Sequence, residues 1–264
     1  MRVYPILLSI GPLNIYAYGF MLAVAFLSCG HLFRKELERT GRDPGLADSA
    51  LMAAVIGGIV GARIWSVAEK WQEFLEDPLG GLLSGSGLVF YGGAIGGALA
   101  VIWIVRRRNE SPLRIADMIF PVLLLGYGFG RVGCLLAGDG DYGPPSSLPF
   151  PFAVSIPDAL VPPHRHPALI GLGLTPGAPV LNTPLFEIVL SWALFALVWP
   201  LRLRRPPAGR MLGLGMCAMA LERIVIESWR LNEPALGPLT AAQLFSVGLM
   251  AVGIGLVLWP RSAE

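Results

Sequence analysis

The sequence predicts an all-α polytopic membrane protein of about seven transmembrane helices, with its N-terminus outside the cell and its C-terminus in the cytoplasm. Three observations predict it. Of 264 residues, 54% are hydrophobic and only 14% are charged, and the mean hydropathy of +0.63 lies far above that of a soluble domain. Seven apolar stretches approach the ~20 residues that cross a bilayer, at 15–33, 46–68, 88–105, 115–137, 184–201, 211–229 and 240–259. The basic residues, finally, gather in alternate connections.

Taken in order, the span at 15–33 runs into Arg34, Lys35, Arg39 and Arg42, and the span at 46–68 into an acidic connection with Glu69, Glu73, Glu76 and Asp77 against Lys70 alone. The span at 88–105 is followed by Arg106, Arg107, Arg108 and Arg114, and that at 184–201 by Arg202, Arg204, Arg205 and Arg210. Between them the span at 115–137 leads into a long segment, about 138–183, whose only basic side chain besides two histidines is Arg165. Positive loops stay cytoplasmic, so the first, third and fifth connections lie inside and the 138–183 loop outside. Spans of this length take up roughly 140 residues, which leaves one transmembrane domain, 1–264, and no room for a separate soluble one. The net charge of +2 carries no message about nucleic acid, because the cations are topology clusters. The beginning does not read as a cleaved signal: Arg2 is its only charge and no small-x-small site follows the first apolar run.

Glycines recur at three- and four-residue spacing within the spans: Gly57, Gly58 and Gly61; Gly92, Gly93, Gly96 and Gly97; Gly126, Gly128, Gly130 and Gly133. Such stripes let helix backbones approach closely, and beside Tyr91 and Arg131 they leave space for a bulky ligand. Cys29, Cys134 and Cys217 all fall in spans without metal-type spacing and read as small packing residues, Cys134 being notable because it follows Arg131 by three positions. His31 sits near a helix end, His164 and His166 in the proline-rich outer loop, and no zinc site is visible. Asp139 and Asp141 open that loop, but a lone Asp-x-Asp pair lacks the further oxygens calcium needs. No cofactor and no metal are expected.

Arg131 and Arg223 carry the functional signal. Each is set inside a hydrophobic span, where a buried arginine costs roughly 2.5–3.5 kcal/mol on insertion scales and is kept where it faces a polar cavity, a partner or a ligand. Glu227 and Arg230 follow Arg223 at helical spacing. Two intramembrane cations point to an anionic ligand.

In this order the motifs resemble the bacterial prolipoprotein diacylglyceryl transferases along nearly the whole chain. Ser9-Ile10-Gly11-Pro12-Leu13 with Tyr18-Gly19 is similar to the family's N-terminal segment, and Gly61-Ala62-Arg63 to its second-span motif. Phe90-Tyr91-Gly92-Gly93 matches its His-Gly-Gly segment; Ala116-Asp117, Pro121 and Gly130-Arg131-Val132-Gly133-Cys134 with Gly138 match its longest signature. Thr183-Pro184-Leu185-Phe186-Glu187 resembles the start of its fifth span, and Arg223, Glu227 and Arg230 fit its Arg-x-x-x-Glu-x-x-Arg segment. The resemblance implies an enzyme of the bacterial inner membrane that moves the diacylglyceryl group of phosphatidylglycerol onto the lipobox cysteine thiol of preprolipoproteins. It implies Arg131, Arg223 and Tyr91 as catalytic residues, and Tyr18, Gly92, Gly93, Cys134, Gly138, Asp139, Asp141, Glu227 and Arg230 as substrate-binding ones. Arg230, Glu227 and Asp117 are expected to be the milder or structural members.

The chain departs from the family pattern at Tyr91, where many members have a histidine, at Cys134 in place of asparagine and at Met219 in place of tyrosine. One inserted residue leaves both Asp139 and Asp141 as counterparts of the family's glutamate. A thiol of pKa about 8.5 is roughly 3% ionised at pH 7, so losing a base that only ionises it costs at most about 30-fold, near 2 kcal/mol. Missing histidine slows such chemistry without forbidding it. Two other readings stay open: a family relative that binds lipid or lipoprotein without catalysis, and an organic-anion transporter, which a repeat of broken spans in both halves would favour.

Overall fold

The computed structural model describes residues 3–11, 13–78 and 90–259, without the side chains of Glu73 and Phe90. Arg2, Pro12 and the Leu88 start of the third expected span lie outside the described residues. Eight α-helices account for most of the rest: α1 (Ala17–Arg39), α2 (Gly45–Glu69), α3 (Trp71–Glu76), α4 (Phe90–Arg107), α5 (Pro112–Ala137), α6 (Thr183–Val198), α7 (Arg210–Glu227) and α8 (Ala241–Leu258). All but the six-residue α3 coincide with expected spans.

Five of them, α1, α2, α5, α6 with its 3-10 continuation to Arg204, and α8, are long and apolar enough to cross a membrane. Of the other two long helices, α4 ends on Arg106 and Arg107, and α7 holds Arg210, Glu222, Arg223 and Glu227. Beside its apolar core the protein exposes large apolar side chains and buries polar ones. Leu27, Ile64, Leu99, Leu197 and Leu258 are exposed on helix surfaces, whereas Asn182, Thr183, Glu187, Ser191, Glu222 and Glu227 are buried. Apolar side chains facing outward and polar ones inward is what lipid as solvent selects.

Among the described residues the helical picture has an addition in three small antiparallel strand pairs: β1 (Ile6–Ile10) with β2 (Leu13–Tyr16), β3 (Ala153–Val154) with β4 (Val180–Leu181), and β5 (Pro234–Leu236) with β6 (Leu239–Thr240). The first two-stranded ribbon takes residues 15 and 16 from the expected first span, so α1 begins at Ala17.

The chain divides into two compact units, Gly30–Ile115 on one hand and Met1–Cys29 with Ala116–Glu264 on the other. Within Gly30–Ile115 the dominant contact is α2 on α4, and glycine is its cause. A Cβ added to Gly61 would stand 2.3 Å from the Gly92 carbonyl oxygen, and one added to Gly96 would stand 2.4 Å from that of Gly57. The two backbones touch, so these positions admit no side chain. Arg42 pairs with Glu110, and Arg108 with Asp43 at 2.9 Å.

In the larger unit, Leu124, Val198, Met211 and Ala218 form an apolar core between α5, α6 and α7, with Met219 packed against it. Asp117 fixes the start of α7, accepting hydrogen bonds from the Gly209 and Leu212 amides at 2.7 Å each. These are donors a helix N-terminus leaves unsatisfied. Asp117 thus caps the start of α7 from α5. Thr240 caps α8 through a reciprocal bond pair with Gln243. The 138–183 segment is ordered around its own core of Tyr142, Val154, Ile156, Ala159, Leu169 and Val180.

Candidate active site

Three helix ends meet in the larger unit. Arg131 comes from the last two turns of α5, Glu187 from the first turns of α6, and Arg223, Glu227 and, just beyond the helix, Arg230 from the end of α7. Glu187 is their centre and is 0% exposed. Its carboxylate lies 2.9 Å from Arg131 Nε, 3.1 Å from an Arg230 nitrogen and 3.4 Å from an Arg223 nitrogen. The Tyr127 hydroxyl donates to the same carboxylate at 3.3 Å, while the Tyr127 ring packs under the Arg131 guanidinium at 4.9 Å.

Asp141 closes the outer side of the cluster by pairing with both Arg131 and Arg230. Its own carbonyl accepts from the Thr183 hydroxyl, which ties the loop to the first residue of α6. Glu227 pairs with Arg223 at 2.9 Å and accepts from Thr240 Oγ1 at 2.8 Å and Asn232 Nδ2 at 2.6 Å. Three guanidiniums are thus balanced by Asp141, Glu187 and Glu227. Burying so many charges is tolerable only because each is paired and hydrogen-bonded.

The structure separates the two aspartates. Asp141 holds the ion pairs; Asp139 instead lies beside Cys134 and accepts weakly from the Asp141 amide at 3.4 Å. Burial works against the Asp141 carboxylate, but the Arg131 and Arg230 guanidiniums overcome it and hold Asp141 below its ordinary value. Burial, reinforced by the neighbouring Asp141 charge, pushes Asp139 up. Ligand-type atoms of Cys134, Asp139 and Asp141 lie within 4.8 Å of one another. The cation facing them is Arg131, 3.5 Å from Cys134 Sγ.

Outside the cluster opens a cavity of about 280 Å³, lined among others by Asp139, Asp141, Tyr142, His166, Arg230 and Asn232. Tyr142 donates to the Val161 carbonyl at 2.7 Å, and burial raises its phenol to about 12. His166 accepts from the Ala168 amide through Nδ1 at 3.2 Å, and burial lowers its pKa.

Of the residues singled out in the sequence, Arg131, Arg223, Glu227, Arg230 and Asp141 belong to this cluster, with Cys134 and Asp139 beside it. Tyr18 packs on Gly133, where an added Cβ would come 3.2 Å from its Cα. Gly138, at φ +63, would drive a side chain to 2.6 Å from Ala159 Cβ, so it is fixed as the left-handed residue that ends α5. Tyr91, Gly92 and Gly93 lie in the other unit, at the start of α4, with Tyr91 exposed. Gly92 lacks room for a side chain because of the Gly61 carbonyl at 2.5 Å and Trp65 Cβ at 2.4 Å.

The glycines of α5 serve packing more than ligand space. Gly126 faces Cys29, Gly128 faces Trp192 and Gly133 faces Tyr18, while only Gly130 has nothing within 4 Å. Sequence reasoning missed Glu187, Tyr127 and Glu222 as site residues. Each carried a signal: Glu187 and Glu222 are ionisable groups within spans, and Tyr127 stands four residues before Arg131, on the same helix face.

A family profile described as prolipoprotein diacylglyceryl transferase matches residues 5–259. A phosphatidylglycerol–prolipoprotein diacylglyceryl transferase of Clostridium tetani is 29% identical over 259 residues, covering 95% of each chain. One numbered 2 from Clostridium perfringens is 30% identical over 249 residues, covering 92% of this chain and 90% of its own. The transferase of Leptospira interrogans is 32% identical over 202 residues, 67% of this chain and 59% of its own. Arg131, Glu187 and the Arg223–Glu227–Arg230 segment, three sites far apart in sequence, are gathered by the fold into one cluster; with a profile match over almost its full length, this chain belongs to the prolipoprotein diacylglyceryl transferase family.

Proposed function

We propose that this protein transfers the diacylglyceryl group of phosphatidylglycerol to the lipobox cysteine thiol of preprolipoproteins, the first step of bacterial lipoprotein maturation. It works as one seven-span domain, 1–264, in the inner membrane, with the N-terminus and the 138–183 loop outside and the C-terminus in the cytoplasm. The observation that carries this reading is the buried guanidinium cluster of Arg131, Arg223 and Arg230, adjoining the polar cavity at the start of the 138–183 loop. A phosphodiester is an anion of the size such a cluster holds, and planar guanidiniums grip its oxygens in pairs.

In this mechanism the lipid phosphate takes the place of the Asp141 carboxylate on Arg131 and is also met by Arg223. The cysteine sulfur attacks the glycerol carbon, the carbon–oxygen bond to phosphate breaks, and the electron pair leaves with glycerol phosphate. Charge gathers on that leaving group, where Arg131 and Arg223 stabilise it. Tyr91 donates its hydroxyl to a phosphate oxygen, and Tyr18, Gly92, Gly93, Cys134, Gly138, Asp139, Asp141, Glu227 and Arg230 shape the lipid and peptide sites. Incubating the purified chain with phosphatidylglycerol and a lipobox peptide should give the diacylglyceryl thioether, seen by mass spectrometry. A folded chain that binds the lipid and forms no adduct is instead the non-catalytic relative to which Tyr91, Cys134 and Met219 point.

A further inference from the structure

One carboxyl in the buried cluster has no use in the ion-pair scheme. Glu222 is 3% exposed, and its Oε1 is buried without a hydrogen-bond partner. Glu187 Oε2 and Glu227 Oε2 are also without hydrogen bonds, but each lies 2.9 Å from a guanidinium nitrogen. Among the described residues Glu222 has no such ion pair. Three guanidiniums are already matched by Asp141, Glu187 and Glu227, so Glu222 is a fourth carboxyl with no cation left over.

Its surroundings are nonetheless those of the phosphate site. Arg131 and Tyr127 on α5, Glu187 on α6, Arg223 on its own helix and Arg230 beyond it all lie within electrostatic reach of Glu222. Leaving a polar atom unpaired at such depth is costly, and ionisable groups kept at membrane depth mark relays and substrate paths. The family reading leaves one place unfilled, since Tyr91 stands where a histidine base is common and the attacking thiol still needs a proton acceptor.

Resting on the transferase reading, we propose that Glu222 is the proton acceptor for the attacking thiol. The thiol proton passes to the Glu222 carboxylate as the sulfur–carbon bond forms and the carbon–oxygen bond to phosphate breaks. The electron pair departs on glycerol phosphate, held by Arg131 and Arg223, and Glu222 then releases its proton to water. Glu187, Asp141 and Glu227 are held by guanidiniums; Glu222, like the loop carboxyl Asp139, can exchange a proton without dismantling an ion pair, and of the two it is Glu222 that adjoins Arg223 on α7.

The test compares two lipobox peptides on the full-length protein, one with cysteine and one with selenocysteine at the acceptor position, whose selenol is already ionised at neutral pH. With Glu222→Gln the cysteine peptide should react up to about 30-fold more slowly at pH 7, the share set by a thiol that is roughly 3% ionised. Its rate should rise with pH towards that of the parent near the thiol pKa, while the selenocysteine peptide should react at the parental rate. Equal losses with both peptides would make Glu222 a merely structural carboxyl, and an undiminished cysteine rate would remove it from the reaction; either overturns the proposal. Should Glu222→Gln not fold, Glu222→Asp draws the carboxyl back by one methylene, so its cysteine-to-selenocysteine rate ratio should fall below the parental value; an equal loss with both peptides overturns the proposal equally. A parent inactive with both peptides sinks the transferase reading itself, whereas an active parent confines any failure to Glu222.

Discussion

Glu187→Gln tests whether the ion-pair cluster is what holds the ends of α5, α6 and α7 together. Glutamine keeps the shape of the side chain and removes one charge. The carboxylate it replaces is 0% exposed and touches three guanidiniums at 2.9, 3.1 and 3.4 Å. At an effective dielectric of about 20, each contact is worth about 5 kcal/mol of Coulomb attraction, most of it offset by the desolvation of both partners. Removing one member of a buried pair costs about 3–5 kcal/mol, because the remaining charges stay buried. The glutamine carbonyl still accepts one guanidinium hydrogen bond, so the expected loss is at the lower end, about 3 kcal/mol.

The assay is denaturant unfolding in detergent at pH 7 for Glu187→Gln, Arg230→Gln and the double variant. The two single losses should not add: once Glu187 is neutral, removing Arg230 relieves an uncompensated cation, and a coupling of about 0.5–3 kcal/mol is expected. A single-variant loss under about 1 kcal/mol, the size of an exposed pair, or strict additivity, would refute the argument that these contacts act as one buried network.

The two loop aspartates should respond oppositely to pH. Asp141 is held below its ordinary value, so its stabilisation is complete above the unfolded value of 3.8 and lost as pH falls through the lower folded value; Asp141→Asn should lower stability at pH 7 and flatten that acid limb. Asp139 is pushed above 3.8, so it favours folding only while protonated and loses that contribution as pH rises through its folded value; Asp139→Asn should leave stability at pH 7 unchanged or raised, and a clear loss in unfolding titrations would contradict the assignment. Arg131→Ala and Arg223→Ala should each abolish thioether formation, with lysine a poor substitute because it lacks the planar fork; near-parental turnover of either alanine variant would end the phosphate-clamp mechanism. Tyr91→Phe should lower turnover efficiency by about ten- to a hundred-fold through loss of one donor to phosphate, whereas unchanged kinetics would leave the ring with a packing role only. Single cysteines placed at 106–114 and in the 139–183 loop should label oppositely with an impermeant maleimide in spheroplasts, and equal labelling would overturn the orientation.

What the sequence made legible follows from which forces are local. Apolar runs of span length and the charges that end them are visible residue by residue, which is why α2 at Gly45–Glu69 and α8 at Ala241–Leu258 fall within a residue or two of expectation. The glycine stripe of α2 and α4 was legible as close packing for the same reason. Three things were not. The β1–β2 ribbon is short and continuous in hydrophobicity with the helix that follows, so periodicity does not separate them. The 138–183 segment has no period at all, and its order comes from non-local packing of Tyr142, Val154 and Leu169. Glu187 falls within a motif, yet its place at the centre of three arginines depends on three helix ends converging, which no spacing within α6 reveals.

That convergence also explains why a transferase of this kind needs more than two arginines. Arg131, Arg223 and Arg230 are neutralised by Asp141, Glu187 and Glu227, an arrangement that holds the buried guanidiniums in place. An arriving phosphodiester adds a negative charge to a balanced set, so it can be held only by exchanging with a carboxylate. Asp141 is the partner placed to give way, because it is the one carried by a loop and reaches the cavity, whereas Glu187 and Glu227 are fixed in helices and Glu227 is further tied to Thr240 and Asn232. Arg230 then stays on Glu187 at 3.1 Å and keeps that carboxylate from following Arg131 towards the phosphate. On this argument Arg230 is a positioning residue: it preserves the geometry of the two cations that meet the leaving group, and its loss should cost less than theirs.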